Sequence, residues 1–249
     1  MKKNAIILLS GGIDSATAAY YIKKRIKPKK LIFLFFDYGQ RALKEERFCV
    51  KKLAKLLKAE LKIINLKWLG DISTSLVNIQ KKVPKTKERD LKDVKQGQKE
   101  ILRWWVPCRN SIFILAGLAH AESLFISEKE KYDIYIGLKS EGRVHFKDTT
   151  SKFIKKVNTL AKEATHHGKY KILAPLIKYD KDEIVKLGEK LKVPWIYTYS
   201  CYIGTSEKGK PIHCGDCLNC KLRQKAFYWA NTVSYTHLRA HETSLHLVC

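Results

Sequence analysis

No apolar run in this sequence approaches the ~20 residues that a helix needs to cross a bilayer, so no membrane association is expected. Proline is scarce, at 6 of 249 residues, and 45% of the chain is hydrophobic. That composition excludes a disordered chain and suits one sizeable core with at most a small appendage. Acidic groups are in deficit: 24 Asp and Glu face 49 Lys and Arg, leaving a formal charge of +25. Such a field draws in polyanions, yet the lysines are spread along the chain in the pattern of a solvated surface, so direct nucleic-acid binding is not expected. A secretory leader is also missing, because Met1-Lys2-Lys3-Asn4-Ala5 runs straight into a strand-length apolar stretch with no small-residue cleavage site. The expectation is a cytoplasmic protein, in which 7 cysteines do not make a disulfide framework.

Against these absences stands a regular alternation. Residues 4–9 (Asn-Ala-Ile-Ile-Leu-Leu) form a continuous apolar run, as in a parallel strand covered on both faces. Helical spacing follows from Ser15 to Ile26, then a second strand at Leu31–Phe36, a helix over 41–58 and a third strand at Leu61–Leu66. Residues 70–100 lose the apolar rhythm and read as a mobile insertion. Beyond them the pattern predicts a helix at Ile112–Phe125, a strand at Asp133–Gly137, a helix over 151–165, a short strand at Lys171–Ala174, a helix over 180–191 and a last helix at Leu218–Trp229. Strand–helix alternation of this kind predicts an α/β fold with a doubly wound parallel sheet.

The first strand runs into Ser10-Gly11-Gly12-Ile13-Asp14-Ser15. Consecutive backbone N–H groups at a helix start make an anion nest, glycine lets phosphate approach the backbone, and the Ser10 and Ser15 hydroxyls can donate to its oxygens. A diphosphate fits, with Asp14 helping to hold a magnesium ion that shares the charge. The Walker pattern lacks its Gly-Lys-Ser/Thr here, and the dinucleotide fingerprint lacks its third glycine.

Cys201, Cys214, Cys217 and Cys220 supply the four thiolates of a closed, structural zinc site. An iron–sulfur cluster is the competing reading. His213 is surplus to an all-cysteine set and reads as a loop histidine.

The Ser-Gly-Gly-x-Asp-Ser string resembles the signature of PP-loop ATP pyrophosphatases, whose sheet is of the HUP, Rossmann-like kind. Further pieces sharpen the resemblance: Phe36-Asp-Tyr-Gly-Gln-Arg41, Val106-Pro-Cys-Arg-Asn110, Ala174-Pro-Leu-Ile177, and Tyr199-Ser-Cys-Tyr202 joined to the cysteine run. Over residues 4–230 the chain is similar to the 7-cyano-7-deazaguanine synthase family. The resemblance implies a nitrile-forming, ATP-dependent carbon–nitrogen ligase of queuosine and archaeosine biosynthesis. It would convert 7-carboxy-7-deazaguanine and free ammonia, no glutaminase segment being apparent, through adenylated carboxylate and amide intermediates. ATP, Mg2+ and Zn2+ are the implied cofactors, and a homodimer is compatible with the reading.

The resemblance further implies site residues. Ser10, Asp14, Ser15 and Arg109 would be catalytic, and Ser10, Gly11, Gly12, Ile13, Asp14, Ser15, Asp37 and Tyr38 would bind nucleotide. Arg109, Asn110, Phe146 and Asp148 would bind the deazapurine. Where the family usually has Tyr-Pro-Asp-Cys-Arg-Pro-Glu-Phe, this chain has Phe146-Lys-Asp-Thr-Thr-Ser-Lys-Phe153, with Thr149-Thr150 replacing the Cys-Arg pair. Alternatives are a PP-loop enzyme that modifies tRNA, a relative that attaches a deazaguanine to protein or DNA, and a zinc-containing nucleic-acid binder. The expected organisation is a nucleotide-binding α/β domain over 1–195, a zinc-binding segment of the same domain over 196–231, and a tail over 232–249. From Val233 that tail, with His237, His241 and His246, resembles a translated sequencing-adaptor read-through and carries no expected function.

Overall fold

The structure, a computed structural model, describes residues 4–79, 81–85, 102–139 and 146–234. The tail from 235 onward, with its three histidines, and residues 80 and 86–100 of the expected insertion lie outside the described residues.

Five parallel strands form one sheet in the order β3-β2-β1-β4-β5. They are β1 (Asn4–Leu8), β2 (Leu31–Asp37), β3 (Glu60–Asn65), β4 (Tyr132–Ile136) and β5 (Ile172–Leu173). Every residue of β1 and β2 is buried, so the continuous apolar runs are those of strands packed on both sides. Alternate residues serve opposite layers. Ala5, Ile7, Phe33 and Phe35 join one core with α1 (Ile13–Tyr21), α2 (Leu43–Leu57), α6 (Lys181–Lys190) and α7 (Leu218–Trp229). Ile6, Leu8, Ile32, Leu34 and Phe36 join the other with α4 (Arg109–Glu128) and α5 (Ser151–Ala164). The sheet is therefore doubly wound, as the alternation predicts.

The strand order reverses between β1 and β4, which pair along Asn4–Leu8 and Tyr132–Ile136. In open α/β sheets a crevice opens at that point, outside the carboxyl ends of the strands, and ligands bind there. Ser10–Ser15 and Gly137–Lys139 leave the sheet on either side of it.

Several boundaries differ from the sequence reading. The helix expected to Ile26 ends as α1 at Tyr21 and continues as a π-helical turn, Ile22–Ile26, stopped by Lys27 in the left-handed region at φ +51°. α4 starts at Arg109, not Ile112, behind Cys108, which also has positive φ. The start of the expected mobile insertion is packed: α3 (Lys67–Asp71) buries Leu69, and Ser75 and Val77 are buried beyond it. Leu76 N donates to Arg103 O at 2.9 Å and Asn78 Nδ2 to Tyr38 O at 2.8 Å. Polar residues that satisfy backbone groups gave this stretch its loop-like composition. The segment Leu102–Glu128 is long and apolar enough, by length and composition, to cross a membrane, contrary to the count of unbroken apolar residues. Within that segment α4 lays one face on the sheet: a Cβ at Gly117 would lie 3.0 Å from Leu8 and 3.4 Å from Ile134. An antiparallel hairpin of β6 (Thr205–Glu207) and β7 (Lys210–Ile212), absent from the sequence reading, fills the loop between Cys201 and Cys214.

Candidate functional site

The glycine turn is built to stay open. Gly11 sits at φ +83°, and a Cβ there would come within 3.2 Å of Glu46 O and Val50 Cγ2. Glycine removes both the strain and the clash. Gly12 caps α1 in an extended conformation and its N–H donates to Ser10 Oγ at 3.3 Å. Ser15 Oγ donates to Gly12 O at 3.2 Å and lies 3.1 Å from Ser10 Oγ. The N–H groups of the first helical turn, from Ile13 to Ser15, have no intrahelical acceptor and aim at the turn's mouth. β4 closes in from the side: a Cβ on Gly137 would stand 2.7 Å from Ser15 Cα.

Asp14 is already engaged. Lys181, the first residue of α6, donates to both of its carboxylate oxygens, at 2.9 and 2.7 Å. Sequence reading missed this lysine. Its position at a helix start just past the carboxyl end of β5, on the ligand side of the sheet, was the available signal.

The turn opens into a cavity of about 280 Å³. Its walls come from many parts of the chain: Phe36 on β2, Tyr38 and Gln40 past it, Glu46 on α2, Arg109, Asn110 and Phe113 on α4, and Phe146 and Thr149 before α5. Phe36 and Phe113 stack at 4.1 Å, and Tyr38 meets Phe113 edge-on at 5.3 Å. The Arg109 guanidinium lies 5.9 Å from the centre of the Tyr38 ring. Of the anticipated residues, Ser10, Gly12, Ile13, Asp14, Ser15, Tyr38, Arg109, Asn110 and Phe146 line this cavity, and Gly11, Asp37 and Asp148 are not among its lining residues. Asp37 is buried, with Oδ2 3.2 Å from Arg47 Nη2 and Oδ1 accepting from the Gly39 N–H at 3.4 Å. The carbonyl of Asp148 accepts from Asn110 Nδ2 at 3.5 Å. Burial raises the Asp148 carboxyl pKa while the Arg109 charge opposes it.

Glu46 was not anticipated either. Burial pushes its pKa up to about 7, against the lowering effects of Gln40, which donates Nε2 to Oε2 at 3.0 Å, and of Arg109. The folded protein therefore holds a proton that the unfolded chain has released between the usual 4.5 and about 7. Stability falls as pH rises through that window, and the penalty is fully present above it. Glu46→Gln removes the penalty and is expected to raise unfolding free energy by about 2 kcal/mol at pH 8 and by under about 1 kcal/mol at pH 5, measured by urea titration.

The four cysteines converge as their spacing predicts. The sulfurs of Cys201, Cys214, Cys217 and Cys220 all lie within 4.8 Å of one another. Cys217 and Cys220 are 3.4 Å apart, Cys214 and Cys220 3.9 Å, and Cys201 and Cys217 4.0 Å. Tetrahedral thiolates at a metal–sulfur distance of about 2.3 Å would be roughly 3.8 Å apart, so the donor set fits a metal ion. Backbone N–H groups of Ile203 and Cys214 donate to Cys201 Sγ, and that of Cys217 to Cys214 Sγ, as a thiolate requires. His213 stands outside the set: it is buried, and its Nε2 accepts from Ser200 N at 3.1 Å.

The cysteine segment also supplies cavity wall. Tyr199 N donates to Gly11 O at 2.9 Å, which ties the segment to the glycine turn, and Ser200, Cys201, Tyr202 and Asn219 line the cavity. Buried Arg223 fixes this run by donating to Thr198 Oγ1 at 2.9 Å and to Ser200 Oγ at 3.1 Å.

The profile of the family described as Queuosine biosynthesis protein QueC matches residues 4–231. The 7-cyano-7-deazaguanine synthase of Methanosphaera stadtmanae is 34% identical over 241 residues, 95% of this chain and 98% of that one. The protein of the same name from Methanococcus aeolicus is 37% identical over 229 residues, 90% of this chain and 94% of that one. Among solved structures, the U34-tRNA thiolase NcsA from Methanococcus maripaludis, with its [4Fe-4S] cluster, aligns over 90% of this chain and 64% of its own, at 18% identity and a TM-score of 0.47. With the profile spanning nearly the whole described chain and such relatives along its length, the chain belongs to the QueC family of queuosine biosynthesis proteins.

Proposed function

We propose that the chain makes 7-cyano-7-deazaguanine from 7-carboxy-7-deazaguanine, free ammonia and ATP. One observation carries the reading: the Ser-Gly-Gly-Ile-Asp-Ser turn lines a cavity at the reversal of a parallel sheet, in a chain whose relatives are named as synthases of that nitrile.

A carboxylate is a poor electrophile, so one of its oxygens attacks the α-phosphorus of ATP and diphosphate departs. Ammonia adds to the acyl carbon, loses a proton, and AMP leaves, giving the amide. The amide oxygen then attacks the α-phosphorus of a second ATP, displacing diphosphate, and loss of both N–H protons and of AMP forms the nitrile. In each activation the backbone N–H groups over 13–15 and the Ser10 and Ser15 hydroxyls would hold the leaving diphosphate, the charge-stabilising part of catalysis. Gly11 contributes by letting the turn form. The Asp14 carboxylate and the neighbouring hydroxyls are hard oxygen donors suited to Mg2+, which when bound neutralises phosphate charge.

Arg109 and Asn110 would orient the carboxylate beside the α-phosphate, so that proximity supplies much of the rate. Arg109 remains charged there: burial disfavours its charge, but Tyr38, Asp148 and Tyr202 outweigh that. Tyr38, edge-on to Phe113 of the stacked Phe36–Phe113 pair, offers a surface for adenine, and Phe146 one for the deazapurine. Asp37 and Asp148 would act at one remove, through the Tyr38 turn and the Arg109 charge. The four thiolates, with no open position, suit a structural Zn2+ that holds 196–231 onto the 1–195 domain. The reaction needs no nucleic acid and belongs in the cytoplasm; a homodimer is compatible with it.

The test is direct. Purified protein given ATP, Mg2+, ammonium and 7-carboxy-7-deazaguanine should form nitrile, detected by mass, with two AMP and two diphosphate for each nitrile. Formation of ADP and phosphate instead, or of AMP only when tRNA replaces the free base, would overturn the proposal.

A further inference from the structure

Lys181 is placed against the preference of its own helix. A basic residue in the first turn faces the positive end of the helix dipole, and α6 already has its start satisfied by a capping box of Asp180 and Glu183. Two carboxylates lie near at hand in sequence, yet Asp182 pairs with Lys186 at 3.0 Å and Glu183 accepts from Asp180 N at 2.8 Å. Lys181 instead crosses 167 positions of sequence to hold both oxygens of Asp14. The side chains of both partners line the cavity and retain about a quarter of their exposure, 27% for the lysine and 22% for the aspartate.

This arrangement sets a conflict at the turn. The proposed function gives Asp14 to magnesium, but an ammonium on both carboxylate oxygens occupies the donors that the metal needs. A lysine's flexible four-carbon stem and rotatable ammonium allow it to change partner without moving its helix. The acceptors it would move to are the phosphate oxygens held by Ser10, Ser15 and the first-turn N–H groups, in the same mouth as Asp14.

We propose that Lys181 is a partner-exchanging cation of the phosphate turn: it is the counter-ion of Asp14 while nucleotide is absent, and it moves onto the phosphate oxygens when Mg2+ and ATP arrive. The internal cation thus keeps an empty anion cradle and its aspartate neutral as a pair, and afterwards adds positive charge where diphosphate leaves. The proposal rests on the functional reading above, and it makes two demands that a merely structural ion pair would not.

The experiment compares Lys181→Met, which keeps bulk and removes charge, with Lys181→Arg and the wild type. Mn2+ binding to nucleotide-free protein is followed by electron paramagnetic resonance, and AMP formation is followed under the full reaction mixture. With the competing ammonium gone, Lys181→Met is expected to bind Mn2+ about tenfold more tightly, and Asp14→Asn added to it should abolish that gain. The same variant is expected to form AMP about 100-fold more slowly, since it lacks a cation at the leaving group. Lys181→Arg should keep weak Mn2+ binding and recover part of the rate. Unchanged Mn2+ affinity in Lys181→Met would overturn the competition, and unchanged AMP formation would overturn the move to phosphate. If wild-type protein forms no AMP with any acceptor, the functional reading fails instead, and the Mn2+ comparison still decides whether Lys181 guards Asp14. Should Lys181→Met not fold, the arginine variant carries the test: Mn2+ binding tighter than wild type together with no residual AMP formation would overturn the proposal.

Discussion

Cys217→Ser, or removal of the metal by a chelator, is expected to abolish nitrile formation, although the proposed chemistry gives no step to any thiol. The four sulfurs converge in a mostly buried cluster, with Cys201, Cys217 and Cys220 almost wholly enclosed. Thiolates packed this closely are held together by a cation or must protonate and separate. The segment they fasten is not peripheral: Tyr199 anchors it to Gly11, and Ser200, Tyr202 and Asn219 form one wall of the cavity. Losing the metal should therefore free the outer side of the phosphate turn. Metal binding supplies about 10–16 kcal/mol in small zinc modules; a core that persists without it should lose less, and a fall of at least about 3 kcal/mol is expected. For a chain of this length that is a drop of about 10 °C in melting temperature. Differential scanning fluorimetry and the nitrile assay, before and after chelation and with Zn2+ restored, check both effects. A chelated, metal-free protein of full activity would refute the structural role, and an absorption band near the visible in the purified protein would replace zinc with an iron–sulfur cluster.

How much of this could be read beforehand depended on the range of the signal. β1 and β2 were legible because strands buried on both faces leave unbroken apolar runs. The glycine turn and the cysteine run were legible because each packs its chemistry into consecutive residues. Glu46, Tyr202 and Asn219 were not, since each reaches the cavity only through the folding of a separate element, and Lys181 carried no more local mark than its place at a helix start on the ligand side of the sheet. Asp37 was misjudged because its partners lie elsewhere: its carboxylate is held by Arg47 and the Gly39 N–H, and Tyr38 beside it lines the cavity. Residues 70–79 mislead for the reverse reason: without an apolar rhythm they read as the start of a mobile insertion, whereas Ser73 and Ser75 are buried and hydrogen-bonded.

Gly137→Ala should cost more at the site than any other single methyl group. The added Cβ would lie 2.7 Å from Ser15 Cα, 2.8 Å from Ser15 N and 2.9 Å from the Asp14 carbonyl carbon. All three are backbone atoms of the first turn of α1, so no side chain can rotate aside, and relief comes only by pushing the helix start away from β4. That displacement carries the N–H groups, the Ser15 hydroxyl and the Asp14 carboxylate with it. Overpacking alone is worth about 1–3 kcal/mol of stability. A shift of about 1 Å in the groups proposed to meet developing charge is expected to lower kcat/KM for ATP-dependent AMP formation by about 100-fold. Gly188→Ala separates the two effects. Its Cβ would meet the Trp195 ring at 2.2 and 2.4 Å, a worse collision on paper, but with a side chain at the junction of α6 and the Trp195 segment. That variant should lose stability of similar size while keeping AMP formation within a few-fold of wild type at temperatures where it is folded. Equal losses of activity in the two variants would mean that the phosphate turn is no more sensitive than the rest of the core, and that the close approach of Gly137 to Ser15 is packing without catalytic consequence.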